Sequence, residues 1–127
     1  MRFFKSRQPN FIGMGPVMPV ADIEATVAYY CDVLGFERDF VIGDPPDHGS
    51  VTRCRVGIQF TLQRNTFTAR DYPGWFYVFV ENVDAIAAEY EQRGVRFTQL
   101  LASREHGMRE FEILDINGFR LRFGQYL

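Results

Sequence analysis

The sequence predicts an α+β chain made of two tandem βαβββ modules. Three observations predict it. An internal repeat places Val80 60 positions after Val20, each copy contains one amphipathic stretch of helical period, and each stretch is followed by segments that read as strands.

The repeat pairs VADIEATVAYYCDVLG, from Val20, with VENVDAIAAEYEQRG, from Val80. Val20 matches Val80, Ile23 matches Val83, Ala25 matches Ala85, Ala28 matches Ala88 and Tyr30 matches Tyr90, while Gly35 and Gly94 close the copies one residue out of phase. In the first copy Ile23, Val27, Tyr30 and Leu34 fall on one helical face; in the second, Val83, Ile86, Ala87 and Tyr90 do. Asp22 and Asn82 are residue types that cap a helix start by accepting its free N–H groups. Gly35 and Gly94 suit the left-handed residue just past a helix end.

GMGPVMPV and GWFYVFV precede the two helices and read as strands. After the first helix, Phe36 to Ile42 reads as a strand and GDPPDHG as a loop. Ser50 to Arg55 and Gly57 to Gln63 then alternate, with Cys54, Val56, Ile58, Phe60 and Leu62 expected on one face and Arg53, Arg55, Gln59 and Thr61 on the other. After the second helix, Val95 to Leu100 reads as a strand. Arg109 to Leu114 and Phe119 to Phe123 flank the turn DING as a hairpin. A sheet with one helix leaves a face bare, so the two halves are expected to pack together. The chain reads as a single domain, 1–127, with modules at about 11–64 and 74–127 and a linker at about 65–73.

The chain has 127 residues, is 46% hydrophobic and 24% charged, and carries a formal charge of -2. That is the profile of a globular chain and weighs against a general nucleic-acid binder, which is usually basic. No apolar run approaches the roughly 18 residues of a membrane span, and no signal peptide is legible, so a cytoplasmic location is expected. Cys31 and Cys54 are too few and too far apart for a metal motif and read as reduced core thiols. No nucleophile elbow, cysteine–histidine pairing or phosphate-cradling glycine loop is present. His48 and His106 read as loop residues. Aromatic residues are abundant at 16%, including 13 Phe, 6 Tyr and 1 Trp.

PVADIEATVAYYCDVLGFERDF, VENVDAIAAEY and HGMREFEILDINGFRLRFGQ are similar to strings of the vicinal oxygen chelate superfamily, which contains glyoxalases, extradiol dioxygenases and antibiotic-resistance proteins. The resemblance covers about residues 12–125 and is strongest to the bleomycin-resistance-protein branch. It implies a cup-shaped, mostly antiparallel sheet with helices on the outer face. Asp115-Ile116-Asn117-Gly118 stands where the family usually has a DP-x-G turn, and Asn117-Gly118 still supplies residues tolerant of positive φ. Metal-dependent members hold a divalent ion with His, Gln or Glu from four strands. Those positions carry over to Gly15, Thr61, Trp75 and Arg122, which are poor or impossible ligands, so no metal and no cofactor is expected.

Strand alternation lines the expected hollow with Val17, Arg53, Arg55, Gln59, Thr61, Trp75, Tyr77, Glu110, Glu112, Arg120 and Arg122, with Phe79 continuing the aromatic row. Phe40 and Tyr77 stand where the resistance branch has aromatic residues. The reading is a metal-independent homodimer that sequesters a planar, partly polar antibiotic or metabolite, with no catalytic residue. The arginines weigh against a cationic glycopeptide unless Glu110 and Glu112 neutralise them. Other readings stay open. The aromatic row can pack a seam between halves or subunits, and the arginines and glutamates can be cross-strand pairs on a solvated face. A metal-dependent lyase, isomerase or dioxygenase needs a displaced site drawing on Gln59, Glu110, Glu112 or His106. A metal-free enzyme would use Glu110 or Glu112 as base.

Overall fold

The computed structural model describes residues 9–64 and 68–127. In chain order it has β1 (Val17–Val20), α1 (Ile23–Asp32), β2 (Glu37–Gly43), β3 (Pro46–Arg53), β4 (Val56–Leu62), β5 (Phe76–Phe79), α2 (Val83–Gln92), β6 (Phe97–Ser103), β7 (Met108–Leu114) and β8 (Arg120–Tyr126). A 3-10 turn, Ala69–Asp71, lies between β4 and β5. The strands form two four-stranded sheets, β1-β4-β3-β2 and β5-β8-β7-β6. Within each, the first strand of the module pairs parallel to the last and the remaining pairs are antiparallel. The two modules therefore repeat one βαβββ topology.

Both helices start and stop where their sequences dictate. Asp22 accepts the Ala25 N–H at 3.0 Å, and Asn82 accepts the Ala85 N–H at 3.2 Å. Gly35 and Gly94 adopt φ of 79° and 72° past the helix ends. Gly35 is required for a second reason: a Cβ there would lie 2.5 Å from Nη1 of Arg53.

Each helix covers one face of its own sheet. Met18, Val51, Ile58 and Phe60 pack with Ile23, Val27 and Tyr30 of α1, and Phe111, Ile113, Leu121 and Phe123 pack with Val83, Ala87 and Tyr90 of α2. The two sets form one continuous cluster, so the modules share a core on their helix sides. At the seam the repeated tyrosines do equivalent work. The Tyr30 hydroxyl donates to Asp115 at 2.6 Å, and the Tyr90 hydroxyl donates to the Leu34 carbonyl at 2.8 Å, each reaching into the other module. Arg53 grips both oxygens of Glu89 at 2.9 Å and donates to the Leu34 carbonyl at 2.8 Å. This bidentate bond first, with the charges of Arg53 and Arg93, holds the Glu89 carboxyl below its ordinary value against the opposing effect of burial. Burial pushes the Asp115 carboxyl up, opposed by the Tyr30 hydroxyl and by the N–H groups of Asn117 and Phe119, each at 2.9 Å.

Three expectations are corrected. The loop GDPPDHG is shorter than expected, because β3 begins at Pro46 and His48 is a strand residue beside the central strand β4. The alternation from Ser50 breaks after Arg53, since Arg53 pairs with Val56 across a two-residue turn of Cys54 and Arg55. Arg53 consequently faces the seam and Arg55 lies in the turn, so neither joins the row of Gln59 and Thr61. Cys54 is exposed at φ 53° and is not a core thiol, whereas Cys31 is partly buried and packs against the core. The turn lacks the Asn-Gly or Asp-Gly signal that would have located it.

Tyr30→Phe removes a donor from a buried carboxylate. It is expected to lower unfolding stability by about 1–3 kcal/mol in urea denaturation, without changing the circular dichroism spectrum. Because the Glu89 pKa is lowered in the folded state, its contribution is complete above about pH 4.5 and is lost as pH falls through the folded value. Glu89→Gln should therefore reduce the melting temperature at pH 7 and flatten its decline below pH 4.5.

Candidate ligand-binding site

Because both helices lie on the shared-core side, the other face of each sheet is open. On the first module this face carries Phe40 and Ile42 from β2, His48 and Ser50 from β3, and Gln59 and Thr61 from β4, aligned by the strand register. The His48 ring nitrogen Nε2 meets the Gln59 side-chain oxygen at 2.9 Å, and the ring stacks on Phe40 with centroids 5.9 Å apart. Val17, at the edge strand, lies opposite Gln59 and is 52% exposed. Ser50 of this face donates to the Asp39 carboxylate at 3.0 Å.

The open face of the second module is more highly charged. Trp75 precedes β5, and Tyr77 and Phe79 follow at period two. Trp75 is 44% and Phe79 61% exposed, so the row is neither core nor part of the seam between halves. Tyr77 and Phe79 have centroids 4.9 Å apart, and Phe79 stacks on Tyr126 at 5.8 Å. Beside them Arg122 lies over the Trp75 ring with its guanidinium 3.8 Å from the centroid, and its Nε donates to Glu112 at 2.6 Å. The second Glu112 oxygen accepts from Thr98 at 2.8 Å. Arg120 sits 5.8 Å from the same ring and donates to the carbonyls of Pro73 and Gly74.

Glu110 is 3% exposed and accepts from the Tyr77 hydroxyl at 2.6 Å. His106 stands 3.4 Å and Arg104 3.9 Å from it. Burial alone would raise the Glu110 carboxyl, but the hydrogen bonds from Tyr77 and His106, with the positive charge of His106 and Arg122, bring it below its ordinary value. The Tyr77 phenol is pushed well above the usual range by burial and by that carboxylate. Gly124 makes the bond possible, since a Cβ there would collide with the Tyr77 hydroxyl and approach Glu110 to 3.1 Å.

Trp75, Tyr77, Glu110, Glu112, Arg120 and Arg122 thus lie together on one face, and Phe40, Gln59 and Thr61 lie together on the other. Arg53 and Arg55 belong to neither. Sequence reasoning missed His48, Thr98, Tyr126 and Gly124. Tyr126 was recoverable, because it continues the Arg120–Arg122–Gly124 alternation past the expected strand end at Phe123.

A family model for the glyoxalase/bleomycin resistance protein/dioxygenase superfamily matches residues 13–123. The chain belongs to this superfamily. Among solved structures, the bleomycin-binding protein of bleomycin-producing Streptomyces verticillus, complexed with copper(II)-bleomycin, is 26% identical, with TM-score 0.76 over 91% of this chain and 97% of that one. TioX from Micromonospora sp. ML1 shares the fold at 19% identity and TM-score 0.75, over 92% and 100% of the two chains. A superfamily protein from Alicyclobacillus acidocaldarius does so at 21% and 0.75, over 95% of each. No curated protein sequence matches the chain at a significant level.

The register also tests the superfamily's metal positions. Arg122 lies opposite Tyr77, two residues beyond Trp75, and Gln59 lies opposite Val17, two residues beyond Gly15. Gln59, rather than Thr61, is therefore the counterpart of Arg122. The set becomes a glycine, an amide held by His48, an indole and a guanidinium bound to a carboxylate. This set does not fit a divalent ion, which needs several oxygen, imidazole or thiolate donors. Among the described residues, no group of three or more His, Cys, Asp or Glu side chains is placed to hold one.

Arg122→Met strands Glu112 in a buried position and is expected to cost about 3–5 kcal/mol in unfolding free energy. Adding Glu112→Leu should restore most of the loss, a coupling readable by a double-mutant cycle in chemical denaturation.

Proposed function

We propose that this chain is a cytoplasmic, metal-independent homodimer that binds and sequesters a planar, partly polar small molecule, an antibiotic or a metabolite, between open sheet faces. The observation that carries this reading is the row of Trp75, Tyr77 and Phe79 beside the Arg122–Glu112 and Tyr77–Glu110 bonds. Exposed aromatic rings supply stacking area, and buried, satisfied polar groups fix their orientation. The solved bleomycin-binding relative lends support at the level of a ligand-binding role. Two free cysteines agree with a reducing compartment.

The charge balance bears on the ligand. Arg53 and Arg55 lie off the face, Arg122 is matched by Glu112, and Arg120 is tied to the carbonyls of Pro73 and Gly74. The objection to a cationic guest is weaker than the arginine count implied. The face selects a flat surface more than a sign of charge, with Arg122 already covering part of Trp75. Sequestration rather than turnover is the reading because Glu110 and Glu112 are each held by dedicated donors, and the bonds to Glu110 keep its carboxyl below its ordinary value.

The test is a fluorescence titration of the purified protein with planar antibiotics and aromatic metabolites, combined with elemental analysis of the same sample. Saturable quenching of Trp75, the single tryptophan, is expected without a stoichiometric metal. Calorimetry should show at least tenfold weaker binding to Trp75→Ala. Stoichiometric metal with chelator-sensitive turnover would contradict the proposal and favour the lyase or isomerase reading.

A further inference from the structure

The repeat extends beyond the helices to the segments that lead into each module, and these two segments behave differently. Ahead of β5, residues 68–73 run over the β7–β8 turn. Ala69 is buried there, Tyr72 stacks on Phe76 at 5.5 Å and meets Phe119 edge-on at 6.3 Å, and Arg70 lines a 370 Å³ cavity with Tyr29 and the 115–118 turn. Ahead of β1, the repeat offset makes Pro9 the counterpart of Ala69 and Ile12 the counterpart of Tyr72. Yet Phe11, Ile12 and Met14 are 103%, 98% and 100% exposed.

The place this leading segment would cover is an open groove. It measures 650 Å³ and is walled by Phe36, Val56, Val78, Ile86, Tyr90 and Phe123, with Cys54 and Arg55 at its mouth. Register identifies the two cavities as counterparts. Val17 lies opposite Gln59 and Tyr77 opposite Arg122, so Cys54 and Arg55 correspond to Asn117 and Gly118, over which Arg70 packs. Among the described residues, one cavity thus has a strap across it and the other, larger and more apolar, has none.

We propose that residues 9–14 form the missing strap, folding back over the β3–β4 turn of the same chain so that Phe11 and Ile12 seat in the groove, with Ile12 against Val56. Reach is sufficient. Gly15 already lies beside Gly57, where a Cβ would be 3.6 Å from the Gly57 carbonyl, and three or four further residues span about 10–13 Å. Chemistry matches as well: three exposed apolar side chains precede β1, and the groove, despite Arg53, Arg55 and Glu81 in its lining, is walled mainly by apolar side chains, so burying the two together removes apolar surface from water. The groove touches the aromatic row only at Phe79 and includes none of Trp75, Tyr77, Arg120 and Arg122, so the inference does not depend on the ligand reading.

Cys54 provides the probe. In a Cys31→Ser background, Asn10→Cys places a thiol at the counterpart of Arg70, and oxidised glutathione then drives disulfide formation, followed on non-reducing gels. The expected result is a bond within one chain, formed at a rate independent of protein concentration. Phe11→Ser with Ile12→Ser, which keeps the tether length, should slow it at least tenfold. An unchanged rate in that variant would mean tethered encounter without seating, and would overturn the proposal. A bond between chains, or none at all, would overturn it too. Circular dichroism of each variant checks the fold, which the exposed substitutions are expected to leave intact.

Discussion

The arrangement of this molecule depends on the contact between its two modules. Each sheet has one helix, and both helices turn their apolar faces to a common core. Tyr30 and Tyr90 extend that core by carrying a hydroxyl across the seam, to Asp115 and to the Leu34 carbonyl. The Arg53–Glu89 pair closes the same seam from β3 to α2. Once both helices are engaged there, no element among the described residues remains to cover the opposite sheet faces. Open, partly aromatic faces are thus a consequence of how the core is shared.

Those two faces are related by the repeat but carry different chemistry. Matching positions on the inner strands hold Gln59 in one module and Arg122 in the other, and Gly15 in one corresponds to Trp75 in the other. The first face is built around the His48–Gln59 bond and the Phe40 ring. The second holds two buried glutamates, each with a dedicated donor. Arg122 is attached to Glu112 and lies on Trp75, so one side chain fixes both the charge balance and the indole orientation. Divergence at these few positions gives the two faces different chemistry while the backbone repeat stays intact.

Much of the fold was legible because periodicity reports burial. The helix-period sets around Tyr30 and Tyr90, their caps and their terminal glycines all appear where the sequence placed them. Strand parity also located Trp75, Tyr77, Glu110, Glu112, Arg120 and Arg122 on one face. Failures occurred where parity was carried through a turn that nothing announced. Cys54 and Arg55 form a two-residue connection without a glycine or asparagine in it, so Arg53 and Arg55 were assigned to the wrong face and Thr61 was taken for the counterpart of Arg122. His48 was missed because the proline- and aspartate-rich stretch before it resembles a longer loop. The hydrogen bonds of Asp115 link positions far apart in sequence, and no local pattern encodes them.

The proposed reading has the open faces meet in a homodimer. Sedimentation equilibrium of the native chain beside Phe79→Lys tests this most directly, since Phe79 is 61% exposed and contributes nothing to the buried core. The account predicts that the native protein sediments at twice its 14.8 kDa chain mass and that the variant sediments at 14.8 kDa. A native protein that stays at 14.8 kDa, or a variant that remains as heavy as the native protein, would contradict it.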